Sequence, residues 1–526
     1  MHKVRIYPVI LFVAAALVFG CTKKKTDPGT APGERAVDTS AEAQAADQGW
    51  IVGVARDNGP LLKLAESSAG WGAFFGNELI RAVELFQKDA RGNKDARIGG
   101  ARAALRLARA YHELSMLQEA LVEPYHKAQA SRPDASKNLP WRRYVEGRLA
   151  QRLGNDTKAR SIFDGVKESP LGELARAAMA QPGEGGSAGP LADLLAGREA
   201  GANTEASGGM SQEYFARLRV RSLSSARRSR LALKIWGRLD HRGPDLAPPG
   251  SVAKDGFWDP LAAEAGQRLY AAVALEFMKG ETEWSPLYEA EAYLLLARPD
   301  AALTALNGLL KAPPKEARLA NLVLSRSQGI ADMLGLVKSL KVQTLVRLGK
   351  ADEAKVLISD MGQETIAQRV RRATALSVVG ESSSGVFPDD RGELANLINS
   401  RVAALGKTAK GATDVAELVL VERFVDGLQR DWADVLARSD KPAKSARERS
   451  LAEDKTKAFA VSARNSVSSL IASSRAALRI GQYRVALKYL SRLDEKFPAA
   501  VGVSEQLRDI LSYRAMAREG GVTTGQ

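Results

Sequence analysis

Apolar positions fall into three regimes along this chain. Ile6–Phe19 is an uncharged, apolar run of about 14 residues, preceded by Lys3 and Arg5 and closed by Gly20 and Cys21. Residues 22–49 offer little to bury: Lys23, Lys24 and Lys25 lead into Asp27-Pro28-Gly29, Pro32-Gly33 and an Ala/Asp/Gln/Thr-rich stretch. That composition cannot offset the entropy of ordering, which predicts a disordered tether. Beyond Trp50, apolar residues recur at steps of three and four. Within Ala101–Leu121, the series Ala104, Leu107, Ala108, Tyr111, Leu114 and Leu117 predicts one buried helix face. Alternating Val/Ile/Thr runs are scarce, so the body is expected to be all-α. Breaks are predicted at Arg91-Gly92-Asn93, Pro133-Asp134, the glycine-rich Gln181–Met210, His241–Gly256, Lys311–Lys315, Gly380–Arg391 and Arg438–Lys444. The expected division is a targeting segment over 1–20, Cys21 and linker over 21–49, helical regions over 50–180, 213–375 and 393–517, loops over 181–212 and 376–392, and a disordered tail over 518–526.

The single cysteine changes the picture of the N-terminus. The apolar run is too short for the roughly 20 residues that span a bilayer as a helix. Its basic flank, length and closing small residue match a secretory signal. Leu17-Val18-Phe19-Gly20-Cys21 resembles the lipobox of bacterial lipoproteins. The resemblance implies cleavage before Cys21, lipidation of its thiol and anchoring to a membrane. Gly20 fits the small residue before the cysteine, and Phe19 departs from the usual small residue at its position. Thr22 in place of Asp implies transfer to the outer membrane. The competing reading is an ordinary signal peptide, or an inner-membrane anchor, that contains a cysteine. No later stretch reaches about 18 consecutive apolar residues, so the rest is expected outside the bilayer core.

Helix pairs with small residues at regular places follow. Ala108, Tyr111, Leu117 and Ala120 form one set; Gly147, Ala159, Phe163 and Pro170 a second; Ala290, Tyr293, Ala302, Leu306 and Pro314 a third. Leu345, Leu348-Gly349, Ala354 and Ile358 form a fourth, and Ala477, Ala486, Leu490, Leu493 and Pro498 a fifth. These sets resemble degenerate tetratricopeptide repeats, helix–turn–helix units of about 34 residues. The resemblance implies an α-solenoid of irregular hairpins, each covering the apolar face of its neighbour. The key alanines are not spaced at the family's period.

Candidate chemistry is sparse. The four histidines, His2, His112, His126 and His241, lack a paired carboxylate motif, and the cysteine is committed to lipid, so no metal site or cofactor is expected. Gly380-Glu381-Ser382-Ser383-Ser384-Gly385 approaches a nucleophile elbow, but its second glycine is one place late and no histidine follows. Ala404-Leu405-Gly406-Lys407-Thr408 approaches a phosphate loop, but Arg401 stands where the first glycine belongs. Ser251-Val252-Ala253-Lys254 has the spacing of penicillin-interacting enzymes, but it lies in a Pro/Gly loop. No glutamate has the Glu-Ser setting of a lytic transglycosylase. The chain is expected not to be an enzyme.

Charge adds one candidate surface. The net charge is +15, and Arg217, Arg219, Arg221, Arg227, Arg228, Arg230, Lys234 and Arg238 crowd one stretch, with Asp240 the first acid after Glu213. Interleaved Leu218, Val220, Leu223, Leu231, Leu233, Ile235 and Trp236 predict a helix or helix pair with one very basic face. For an exported chain the anionic partner would be a phospholipid headgroup, peptidoglycan carboxylate, lipopolysaccharide phosphate or acidic protein face, not nucleic acid. The bland reading is a solvated basic face paired to the protein's own acids. The expected function is a lipid-anchored envelope scaffold that binds other envelope proteins through a helical groove. The alternatives are a glycan- or cell-wall-binding lipoprotein and a helical accessory part of a cell-wall enzyme system. Aromatics are only 6% of the chain, and the scattered Trp71, Trp141, Trp236, Trp258, Trp284 and Trp432 are expected mostly in the core rather than on a sugar platform.

Overall fold

The computed structural model describes residues 68–75, 78–130, 139–152, 156–169, 171–180, 190–196, 212–239, 261–278, 282–314 and 326–381. It also describes Arg423, Gly427, Asp431, Leu470, Ile471, Ser474, Arg475, Ala486 and Leu487. The expected signal segment, Cys21, the tether, the 241–256 break, the tail and most of the 376–392 loop and the third helical region lie outside the described residues. Among the described residues every regular element is a helix, as the periodicity predicts, and no helix is long and apolar enough to cross a membrane.

Two short helices, α1 (Ala69–Phe75) and α2 (Leu79–Asp89), open the body. They pack through Trp71, whose ring meets Phe74 and Phe86 edge-on at 5.5 and 5.0 Å. Gly92, at φ +78°, then turns the chain into the long α3 (Lys94–Ala130), as the Arg91-Gly92-Asn93 break predicts. Ala104, Leu107, Ala108, Tyr111, Leu114 and Leu117 of α3 are all buried. So are Arg102, Arg106 and Glu113, so that α3 is enclosed on nearly every side between residues 98 and 117. Then come α4 (Leu139–Arg152), α5 (Asp156–Asp164) and α6 (Gly172–Met179). The glycine-rich stretch 181–212, expected as loop, holds a further helix, α7 (Pro190–Ala196). Pro190 supplies the fixed φ suited to a first helical position, and Leu194 and Leu195 are buried.

The remaining helices are α8 (Gln212–Ser225), α9 (Ser229–Trp236), α10 (Leu261–Phe277), α11 (Ser285–Leu295), α12 (Pro299–Lys311), α13 (Arg326–Arg347), α14 (Ala351–Ser359) and α15 (Ile366–Val378). Most pack against their chain neighbours. The main exception is α3, which packs most extensively on α10 and also meets α11. That contact closes a circuit: α3 touches α4, α4 touches α5, and the series runs through α6, α7, α8 and α10 back to α3. The α3–α10 crossing is built reciprocally. Gly100 of α3 faces the ring of Phe277, and Gly266 of α10 faces the ring of Tyr111. Each glycine lets the partner's aromatic ring sit where a Cβ would stand.

Three hairpin corners share one design. At α8–α9, α11–α12 and α13–α14 the second residue past the first helix has positive φ: Arg227 at +59°, Ala297 at +58° and Gly349 at +74°. The next amide reaches back to a carbonyl five residues earlier, Arg228 to Leu223, Arg298 to Tyr293 and Lys350 to Leu345, at 2.8, 2.8 and 2.9 Å. This closure satisfies the orphan carbonyls at a helix end. Five residues after each positive-φ position stands an alanine with no exposed surface: Ala232, Ala302 and Ala354. Glycine is the residue suited to such a corner, and only one corner has it. We therefore expect Ala297→Gly to raise the melting temperature, by about 0.5–1 kcal/mol of stability, because relief of left-handed strain exceeds glycine's entropy cost. Gly349→Ala should lose about 1 kcal/mol. Thermal melts of both variants against wild type check the opposite signs.

Candidate functional site

The helix circuit surrounds a polar cavity of about 620 Å³, lined from α3, α4, α6, α7, α8, α10, α11 and α13. Among the described residues four arginines line it, Arg148, Arg221, Arg268 and Arg347, with one carboxylate, Glu264. Several of these side chains cap helix ends. Arg148 and Arg221 both donate to the Leu195 carbonyl at the end of α7, at 2.8 and 2.6 Å. Gln151 donates to the Ala178 carbonyl of α6 at 2.6 Å. Gln267 and Arg347 donate to Leu295 and Leu294 at the end of α11, both at 2.7 Å. Helix C-termini carry partial negative charge, which favours cations there. Glu264 holds Arg268 at 2.6 Å and lies 3.7 Å from Arg221. His112 Nδ1 is 3.2 Å from Gln267 Oε1. Burial pulls the Arg221 guanidinium down to about 10; Glu264 opposes the fall, and the cations Arg268 and Arg148 add to it.

A second cavity of about 270 Å³ shares His112, Met116 and Arg347 with the first. Arg109, Arg371, Arg423 and Arg475 of its wall are tied into ion pairs. Glu291 of α11, 1% exposed, takes Arg109 of α3 at 2.9 Å on one oxygen and both Nε and Nη2 of Arg423 on the other, at 3.1 and 2.9 Å. Glu113 takes Arg475 at 3.0 Å, and Asp431 pairs with Arg371. Each carboxylate named in the two walls is thus an anion held by arginine. General-acid work calls for the opposite setting, a carboxyl in an apolar pocket.

The predicted basic cluster is divided by the structure. Arg217 and Arg221 of α8 point inward and are buried, and Arg219 is half-buried. Arg217 lies over the Trp236 ring at 5.9 Å. Arg227, Arg228, Arg230, Lys234 and Arg238 are exposed on and around α9. Arg227 donates to the Tyr293 hydroxyl at 3.3 Å. Leu231 is 43% exposed in the middle of this basic face. The expected helix pair is present, but the single basic face is not, because α8 turns Arg217 and Arg221 into the interior while the basic residues on and around α9 stay exposed. Trp71, Trp236 and Trp284 are buried, while Trp258 and Trp432 lie outside the described residues. Lipidation of Cys21 also falls outside them.

Sequence reasoning missed Arg109, Glu113, Arg148, Glu264, Arg268, Glu291 and Arg347. Glu264–Arg268 and Arg109–Glu113 have the i,i+4 spacing of opposite charges, but that signal ordinarily marks a solvated helix face. Among the described residues no cluster of His, Cys, Asp and Glu could hold a metal ion. No protein-family model, curated protein or solved structure matches the chain.

Proposed function

We propose that this chain is a lipid-anchored envelope protein, a non-catalytic scaffold that binds other envelope proteins through an irregular array of tetratricopeptide-like hairpins. Lipid on Cys21 holds it to the membrane, facing the periplasm from the outer membrane. The observation that carries the reading is the corner shared by α8–α9, α11–α12 and α13–α14, each followed at the same distance by a fully buried alanine. Recurring hairpins of one build present successive outer corners to a partner. The α8–α9 corner adds a chemistry: Arg227, Arg228, Arg230, Lys234 and Arg238 around exposed Leu231 suit an acidic protein face with an apolar anchor. Engagement of Glu113, Glu264, Glu291 and Asp431 by arginines speaks against the cell-wall-enzyme reading. Burial of three tryptophans speaks against a sugar platform.

The test is crosslinking in cells of a C-terminally tagged chain, followed by mass spectrometry of retained material. One or two envelope proteins, captured reproducibly and lost by about tenfold in an Arg230→Glu/Lys234→Glu variant, is the expected result. Capture of sacculus fragments, glycans or lipid alone sinks the scaffold reading. Cys21→Ser should move the protein from the membrane to the soluble fraction; retention in the membrane sinks the lipid anchor.

A further inference from the structure

Arg221 is a buried cation whose partners do not need it. It is 3% exposed, on the wall of the larger cavity. The Leu195 carbonyl that accepts its Nη2 already accepts Arg148, and Glu264, 3.7 Å from its Nη1, already holds Arg268 at 2.6 Å. Its Nε and Nη1 have no hydrogen-bond partner. A buried charge lacking full compensation burdens the folded state, and removing it commonly stabilises a protein at the expense of function. Water in the cavity can accept from the idle N–H groups, but it brings no opposing charge. The depressed pKa of the guanidinium records the same imbalance.

The described lining adds cations beside it. Four arginines and one carboxylate line the cavity among the described residues, and the ends of α6, α7 and α11 supply at most about half a negative charge each. Beside His112, Gln151 and Gln267, the wall also carries small and apolar side chains, from Met116, Ala177, Ala178, Ala192, Leu294 and Ala297. Cationic and aliphatic side chains line one space of about 620 Å³, inside the range of roughly 300–1,000 Å³ usual for small-molecule sites. An inorganic anion would meet the guanidinium donors but leave the aliphatic lining in contact with water.

We propose that this cavity binds a small organic carboxylate with a short aliphatic body, the carboxylate seated against the unfilled donors of Arg221 and the body against the alanine wall. The site is separate from the exposed α8–α9 corner and does not rest on the scaffold reading. Arg148 and Arg347 hold the helix ends that frame it, and Arg268 occupies Glu264.

The experiment is calorimetric titration of the full chain in detergent with N-acetyl-alanyl-alanine, its C-terminal amide and inorganic phosphate, together with thermal melts. Wild type should bind the acid, with the amide and phosphate weaker by about tenfold or more. Arg221→Met leaves Arg148 on Leu195 and Arg268 on Glu264, so its melting temperature should hold or rise while its affinity for the acid falls about tenfold or more. The proposal is overturned if wild type does not bind the acid, if the amide or phosphate binds as well, or if the variant binds the acid unchanged. A variant that melts well below wild type also overturns it, because Arg221 would then be a structural cap.

Discussion

Glu291→Ala should cost the folded chain about 3–5 kcal/mol, the range for breaking a buried ion pair from one side. Glu291 sits on α11 between Arg109 and Arg423, and both it and Arg423 are 1% exposed. Alanine removes the anion and leaves two guanidiniums facing each other in a low-dielectric wall. The loss therefore comes from two stranded cations, not from three missing hydrogen bonds. Two consequences separate this account from simple loss of packing. Added salt should recover little, since screening acts weakly on buried charges. The triple change Glu291→Leu/Arg109→Met/Arg423→Met should recover most of the stability, because an apolar replacement of a whole buried network is often neutral or better. Chemical denaturation of the single and triple variants is the measurement. A triple variant no more stable than Glu291→Ala would show that hydrogen-bond geometry, and not charge, holds this wall.

Gly266→Ala should destabilise the α3–α10 crossing by about 1–3 kcal/mol, against the sign that helix propensity gives. Alanine in a helix interior normally gains about 1 kcal/mol over glycine. Here the added Cβ would stand 2.7–2.8 Å from three atoms of the Tyr111 ring. That ring cannot retreat. It stacks on Tyr270 at 5.9 Å with an interplanar angle of 9°, and it meets Trp236 edge-on at 5.6 Å. Combining the change with Tyr111→Leu should cost less than the sum of the two single changes, as expected of residues in direct contact. Thermal melts of the three variants test it; an additive result would mean that the helices separate rather than the ring yielding.

Much of the helical body was legible before the structure. The α3 stripe, the turn at Gly92, the close pairing of Gly147 with Phe163 and the buried Ala302 and Ala354 all follow from periodicity and small-residue placement. Two kinds of feature were not. Arg227 and Ala297 adopt left-handed corners that composition assigns to glycine, since the helices on either side fix the corner and the residue accepts the strain. The arginines of the cavity walls carry no local signal that separates them from solvated ones. A single sequence shows that a helix such as α3 has an apolar stripe. It does not show that a second layer will cover the opposite face, which turns Arg102, Arg106 and Glu113 into interior residues. The carbonyl ends that those walls present to arginine arise only when α6, α7 and α11 end at one place.

The ion pairs also set an order of assembly. Glu113 meets Arg475, 362 positions further along, and Glu291 meets Arg423, 132 positions further along. Contacts of such long range form late and slow the approach to the native state. As the chain emerges from its N-terminal end, Glu291 follows its partner Arg109 but precedes Arg423, and Glu113 precedes Arg475. A chain interrupted before residue 423 would lack Arg423 for Glu291 and Arg475 for Glu113. Charge complementarity thus ties these two buried carboxylates to residues far beyond them in the chain, and truncation before Arg423 should destabilise the helices that carry them.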